Sequence, residues 1–194
     1  MEAGKIRQQR ILYMGREQNL SKFISLVLRH KPQAAGIELD SHGWADVNGL
    51  IDGICKTGRS IDRDLLEKIV HTDEKQRYRF NSDGTKIRAS QGHSIPADVE
   101  LQEAEPPEYL YHGTSEKAAA HIILEGVKPM GRLYVHLSKD TKTAQKVGKR
   151  HGKPVVFRVS AGRMYQSGIS FFISENGVWL CGHVPAEFLE RVIS

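Results

Sequence analysis

The sequence predicts an α+β protein of two lobes, and three observations carry that reading. Over residues 19–94, apolar residues recur at helical spacing in three stretches and then give way to the alternation of a hairpin. Over residues 108–194, short apolar runs are broken at close intervals by Gly, Pro and Asn, the pattern of a compact, mostly antiparallel sheet lobe. Between them, residues 95–107 contain four acids and no Lys or Arg, and end at Pro106-Pro107, which reads as a linker.

Length and charge agree with that division. A chain of 194 residues is long for one small domain and sufficient for two, and 39% apolar content can build real cores. The net charge of +5 is uneven: residues 1–90 carry 16 Lys and Arg against 12 acids, and residues 108–194 carry 12 against 7. Two basic lobes flank an acidic connector, which suits an anionic partner without establishing one. The two cysteines, Cys55 and Cys181, lack metal or disulfide spacing, and there is no run of signal-peptide or membrane-span character. A cytoplasmic monomer without metal or membrane contact is the expectation.

In chain order, residues 1–18 are polar without sustained periodicity and are expected to be a loose lead. Asn19 is a plausible cap for a helix in which Leu20, Phe23, Ile24, Val27 and Leu28 form one stripe and which Pro32 ends. Arg29 and His30 then sit at its C-terminal end. Ile37–Leu39 reads as a short strand and Ser41-His42-Gly43 as a turn. Helices follow from Asp46 to Lys56 and after Asp62, the second with Leu65, Leu66, Ile69 and Val70 on one side. Tyr78, Phe80, the Ser82-Asp83-Gly84 turn and Ile87 make a hairpin. Three helices closed by a hairpin is the order of a winged helix, a fold that often binds nucleic acid but does not by itself fix a function. In the second lobe, strands are expected at 109–112, 133–137, 155–159, 169–173 and 178–180, with helices near 115–125 and 141–150.

Several blocks combine basic residues with small ones. Arg29-His30 follows the first stripe; charges there also suit the negative end of a helix dipole. Arg77 and Arg79 alternate with Tyr78 and Phe80 and can share a strand face. Gln91-Gly92-His93-Ser94 fits either an ordinary turn or a backbone that a ligand approaches closely. Tyr111-His112-Gly113-Thr114 ends a strand; Gly113 allows close approach to the main chain, while Thr114 or Ser115 can cap the next helix. His136 lies in a strand and Ser138 can cap the helix after it. Lys142, Lys146, Lys149 and Arg150 have helical spacing, which a solvated helix face also explains.

Together, Leu-Arg-His-Lys-Pro (28–32), Ile-Arg-Ala-Ser-Gln-Gly-His-Ser (87–94), Tyr-His-Gly-Thr (111–114), Gly-Arg (131–132), Val-His-Leu-Ser (135–138) and Asn-Gly-Val-Trp-Leu (176–180) occur in one order. That ordered set resembles the RNA 2′-phosphotransferase family, called KptA in bacteria, across roughly residues 20–190. The resemblance implies an N-terminal winged-helix lobe over 19–94 and an ADP-ribosyltransferase-like antiparallel β lobe over 108–194. It implies a catalytic group of Arg29, His30, Arg77 and Arg132, with Arg79 a poorer fit than Arg77 to the third position. It also implies NAD⁺ held by His112, Gly113, Thr114, His136 and Ser138. The glutamate used by protein-modifying relatives is absent, with Val178 in its place.

The implied partners are NAD⁺ as co-substrate and an RNA bearing a 2′-phosphate. The implied reaction passes through RNA-2′-phospho-ADP-ribose and gives 2′-hydroxyl RNA, nicotinamide and ADP-ribose 1″,2″-cyclic phosphate. Arginines suit this chemistry because their planar donor forks fit phosphate. Two competing readings are an ADP-ribosyltransferase of another specificity and a non-catalytic RNA-binding or NAD⁺-sensing module.

Overall fold

The computed structural model describes the backbone of residues 2–193 and the side chains of residues 15–192. The described chain is α+β, as its pattern predicts, and divides into two compact units, Met1–Val99 and Glu100–Ser194.

The first unit begins with helix α1, Glu2–Arg29. The segment expected to be a loose lead is therefore helical, and Asn19 lies inside the helix rather than at its cap. Local propensity accounts for this: residues 2–29 contain no Pro and are rich in Glu, Lys, Arg, Gln and Leu, good helix formers that need no apolar stripe. The predicted stripe does face the core, with Ile24, Val27 and Leu28 fully buried. Beyond α1, Pro32–Ala35 turn as a 3₁₀ helix.

Ile37–Leu39 is not a strand. Asp40 instead accepts the backbone N–H groups of His42 and Trp44, each at 3.0 Å. This turn delivers Ala45–Asp46 as strand β1, which the alternation of residues 37–39 did not reveal. Helices α2 (Val47–Lys56) and α3 (Arg63–His71) are capped by Asp46 and Asp62, which accept from Gly49 N at 2.7 Å and Leu65 N at 2.8 Å. Strands β2 (Tyr78–Phe80) and β3 (Lys86–Ala89) form the hairpin, with Arg79 opposite Arg88, and β1 pairs with β3 to complete the antiparallel sheet. Leu28, Leu50, Ile54, Leu66 and Ile87 close the core, and each such side chain contributes about 1.5–3 kcal/mol on burial.

The second unit holds two antiparallel sheets. Strands β4 (Gln102–Glu103), β5 (Leu110–Ser115), β6 (Val135–Leu137), β7 (Pro154–Val159), β8 (Phe171–Ile173), β9 (Trp179–Cys181) and β10 (Leu189–Ile193) are ordered β10–β7–β5 and β4–β8–β9–β6. Helices α4 (Glu116–Glu125), α5 (Thr141–Gly148) and α6 (Ala161–Gln166) complete it. Part of the expected linker is thus strand: Gln102–Glu103 pair with β8. Two residues with polar side chains carry no periodicity, so pairing alone makes them a strand. Asp140, not Ser138, caps α5, accepting from Thr143 N at 2.7 Å. Ser138 is committed elsewhere, since its backbone exchanges hydrogen bonds with Tyr111 at 2.9 and 2.8 Å and ties the end of β6 to β5. Among the described residues, no helix is long and apolar enough to cross a membrane.

The seat of α5 on β5 depends on glycine. A Cβ on Gly113 would lie 1.7 Å from the carbonyl oxygen of Ala144, and one on Gly148 would lie 2.5 Å from that of Thr114. The obstacle is backbone in each case, so a side chain forces the helix off the strand. Gly113→Ala is therefore expected to destabilise this unit by about 3 kcal/mol, the upper range for overpacking. Thermal unfolding of a Trp44→Phe chain followed by Trp179 fluorescence measures it, and an unchanged melting temperature would contradict the backbone-on-backbone seat.

Candidate active site

In the first unit the basic residues converge where α1 ends. Arg29 is the last residue of α1 and His30 follows it. The chain returns there at residues 91–94: Ser94 N donates to Arg29 O at 3.0 Å, and Ser94 Oγ lies 2.9 Å from His30 Nδ1. The loop that sequence left open between turn and ligand approach thus braces His30. Arg29 Nη2 donates to the carbonyl of Arg77 at 3.4 Å.

Arg77 is held in turn. Its backbone N–H donates to Asp73 Oδ2 at 2.7 Å, and its guanidinium pairs with the other oxygen of the same buried carboxylate. Ser90 closes the turn, with its N–H on Arg77 O at 2.8 Å and its hydroxyl on Gln76 O at 2.7 Å. Arg29, His30 and Arg77 are therefore brought together, with two arginines fixed through backbone and carboxylate. Arg79 is engaged differently: its guanidinium lies 5.0 Å from the Trp44 ring centroid.

Two residues gained no role from sequence. Arg88 is 1% exposed, donates to His42 O at 3.3 Å and lies 4.5 Å from the Trp44 ring centroid. A charged residue between the buried Ile87 and Ala89 in a strand was the signal available for it. His93 is 2% exposed, and its Nε2 is buried without a hydrogen-bond partner among the described residues. Burial first, then the charges of Arg29, His30 and Arg88, push its imidazole down to about 4. His93 is neutral near pH 7 and adds no cation to the cluster.

In the second unit, β5 carries His112, Gly113 and Thr114, β6 carries His136, and Ser138 follows β6. His112 Nδ1 lies 3.3 Å from His136 O, and His136 Nδ1 lies 3.0 Å from Tyr134 O. Carbonyls only accept, so each Nδ1 donates. Burial holds the His112 pKa below its ordinary value, against the raising effect of that hydrogen bond. His112 is thus neutral near pH 7, with Nδ1 protonated and Nε2 an acceptor. Thr114 is buried, and Ser115 occupies the cap position of α4 without a side-chain cap bond, so the capping alternative does not account for these hydroxyls. Gly113 makes room for α5, a packing role that the sequence reading did not assign.

Arg132 lies in the exposed loop before β6, and its N–H donates to Pro129 O at 3.2 Å. Partial desolvation, then the charge of Arg150, lowers its pKa from a value so high that it stays protonated. Asn176-Gly177 form the turn between β8 and β9, where Ser174 Oγ accepts from Val178 N at 3.1 Å and Gly177 takes a φ of 74°.

Chemically, the first unit offers a clustered set of charged donors suited to a phosphate dianion. The second offers a neutral imidazole acceptor beside a second histidine, hydroxyls, and a separate arginine.

Comparison with known proteins adds an independent finding. The sequence model of the family described as "RNA 2'-phosphotransferase, Tpt1 / KptA family" matches residues 15–183. A "Probable RNA 2'-phosphotransferase" of Flavobacterium johnsoniae is 52% identical over 172 residues, 89% of this chain and 94% of that protein. Proteins of the same description from Nostoc punctiforme and Escherichia coli are each 50% identical, over 173 and 171 residues, covering 96% and 93% of those proteins.

Proposed function

The chain belongs to the RNA 2′-phosphotransferase family, and on that premise we propose that it removes an internal 2′-phosphate from RNA in an NAD⁺-dependent reaction. The products are 2′-hydroxyl RNA, nicotinamide and ADP-ribose 1″,2″-cyclic phosphate. The observation that carries this reading is the convergence of Arg29, His30 and Arg77 at the end of α1. We read the first unit as a winged-helix lobe, from its order of helix, strand, two helices and hairpin. We read the second, with its two antiparallel sheets, as a lobe of ADP-ribosyltransferase type.

In this proposal Arg29 and Arg77 bind the RNA 2′-phosphate through charge-assisted bonds, His30 adds a donor, and Arg132 serves the same reaction as a further cationic donor. Positioned donors of this kind stabilise charge as it develops on the transferring group. Asp73 fixes the Arg77 fork, and Ser94 fixes the His30 ring, so neither has to be ordered when the substrate binds. NAD⁺ supplies the electrophilic ribosyl carbon that accepts the phosphate.

The second unit's residues fit NAD⁺. The neutral His112 brings no positive charge against a cationic nicotinamide ring, and its Nε2 can accept a hydrogen bond. His136 with the hydroxyls of Thr114 and Ser138 can bind ribose oxygens and the carboxamide. Gly113 acts by letting α5 seat closely on the strand.

The test is chromatography of labelled 2′-phosphorylated RNA incubated with and without NAD⁺. Dephosphorylated RNA together with cyclic phosphate, formed only with NAD⁺, is expected. Turnover without NAD⁺ would indicate a phosphatase instead. Stable ADP-ribosylated RNA without cyclic phosphate would indicate an ADP-ribosyltransferase of another specificity.

A further inference from the structure

One charged surface takes no part in the site described above. The outer face of α5 and the 3₁₀ turn after it carry Lys142, Lys146, Lys149 and Arg150, all exposed. The lysines fall at i, i+4 and i+7, one stripe along about 10 Å of helix. The helix's buried residues, Ala144 and Gly148, lie on the other side against β5.

A merely solubilising helix face usually interleaves the two signs, because opposite charges at i,i+4 support the helix and like charges there oppose it. This segment does not. From residue 139 to 153 the sole acid is Asp140, and its carboxylate is occupied as the α5 cap.

Ion pairing separates this stripe from four other cations of the same unit, whereas Lys117, Lys139 and Arg163 also lie outside the ion pairs found among the described residues. Lys128 pairs with Glu125, Lys153 and Arg191 with Glu116, and Arg158 with Glu190. Among the described residues, none of Lys142, Lys146, Lys149 and Arg150 lies in an ion pair. The stripe also adjoins a residue of the proposed machinery, since Arg150 is near enough for its charge to act on Arg132. A row of one sign, with Asp140 beside Lys142 as the sole acid of residues 139–153 and Arg150 within charge range of Arg132, fits a polyanion.

We propose that Lys142, Lys146, Lys149 and Arg150 form a track for the phosphodiester backbone of the RNA that carries the 2′-phosphate. This rests on the function proposed above and deepens it. The track binds phosphates flanking the reacting nucleotide and reads no sequence, since lysines meet phosphate as point charges.

The test variant is Lys142→Gln, Lys146→Gln and Lys149→Gln combined, which removes charge and leaves Arg132 and Arg150 in place. Turnover is measured on a 2′-phosphorylated trinucleotide and on a long single-stranded RNA with the same modified nucleotide. The expected result is near wild-type kcat/KM on the trinucleotide and a loss of about tenfold on the long RNA at moderate salt. The slope of log affinity against log salt for the long RNA should become shallower by up to ~2, from three contacts at about 0.7 each.

An equal long-to-short ratio in variant and wild type, with an unchanged salt slope, overturns the track. Equal losses on both substrates also overturn it, and would place the lysines in the reacting site. So does an unchanged RNA slope accompanied by lost binding to anionic phospholipid vesicles, which would assign the stripe to a membrane surface. If the wild-type protein turns over neither substrate, the proposed reaction fails separately, and the salt slope of long-RNA binding still decides for or against the track.

Discussion

Alanine at position 77 should lower single-turnover removal of the 2′-phosphate by about 10²–10³, the usual effect of deleting one positioned donor from a preorganised site. The expectation rests on how Arg77 is held. Its guanidinium is paired to Asp73, its N–H is on the same carboxylate, and its carbonyl receives Arg29. An arginine anchored this way meets a phosphate without first being ordered. Lysine at 77 should recover only part of the loss, because it restores charge without the planar fork. Asp73→Asn should cost less, about tenfold, since the guanidinium remains while its pairing weakens.

Arg77→Ala also leaves a buried carboxylate without its ion partner, which destabilises the fold on its own account. The double variant Arg77→Ala, Asp73→Asn separates the two effects. It should regain melting temperature and remain as inactive as Arg77→Ala. Turnover near wild type in Arg77→Ala, or recovery of turnover in the double variant, would remove Arg77 from the phosphate site.

The contrast between Arg77 and Arg79 shows what the sequence could and could not convey. Alternation placed both on one strand face, and only the resemblance favoured Arg77. The structure supplies the physical difference: Arg77 precedes β2 and is fixed by Asp73, whereas Arg79 lies within the hairpin and meets Trp44. Elements whose signal is local were legible, as with the helices that begin about Asp46 and after Asp62 and the hairpin turn at Ser82-Asp83-Gly84.

Features set by distant partners were not legible. Gln102–Glu103 is a strand only because β8 lies beside it, and Gly113 is required by the backbone of α5, some thirty residues away in the chain. The helix over residues 2–18 was illegible for another reason: it rests on residue propensity and not on an apolar stripe. Arg88 and His93 were visible as residue types within residues 87–94, but burial among other cations cannot be read from neighbours in sequence.

His93 leads to the second large effect, a loss of stability in mild acid. In the folded chain, burial and the charges of Arg29, His30 and Arg88 hold it at about 4, against 6.5 for a free imidazole. Between these values the unfolded chain binds a proton that the folded chain does not. Stability from neutral His93 is therefore nearly complete above about pH 6.5, falls as the pH drops, and is fully lost only as the pH passes below about 4. The whole span is worth about 3 kcal/mol, and about 2 kcal/mol is already gone at pH 5, before most carboxylates titrate. His112 has its pKa lowered in the same direction but lies in the other unit, so the probe must be local.

Trp44 lies in the first unit and Trp179 in the second. Urea unfolding of a Trp179→Phe chain, followed by Trp44 fluorescence at about pH 7.5 and about pH 5, isolates the unit that holds His93. His93→Gln in that background keeps a polar side chain that cannot charge, and should abolish most of the pH difference. Should that variant fold poorly, the ring proton resonances of His93 in the unsubstituted protein give the same answer, because they should not shift between those two pH values. An acid loss of equal size in His93→Gln, or a His93 resonance that titrates near 6.5, would show that this imidazole is not held neutral beside Arg29 and His30.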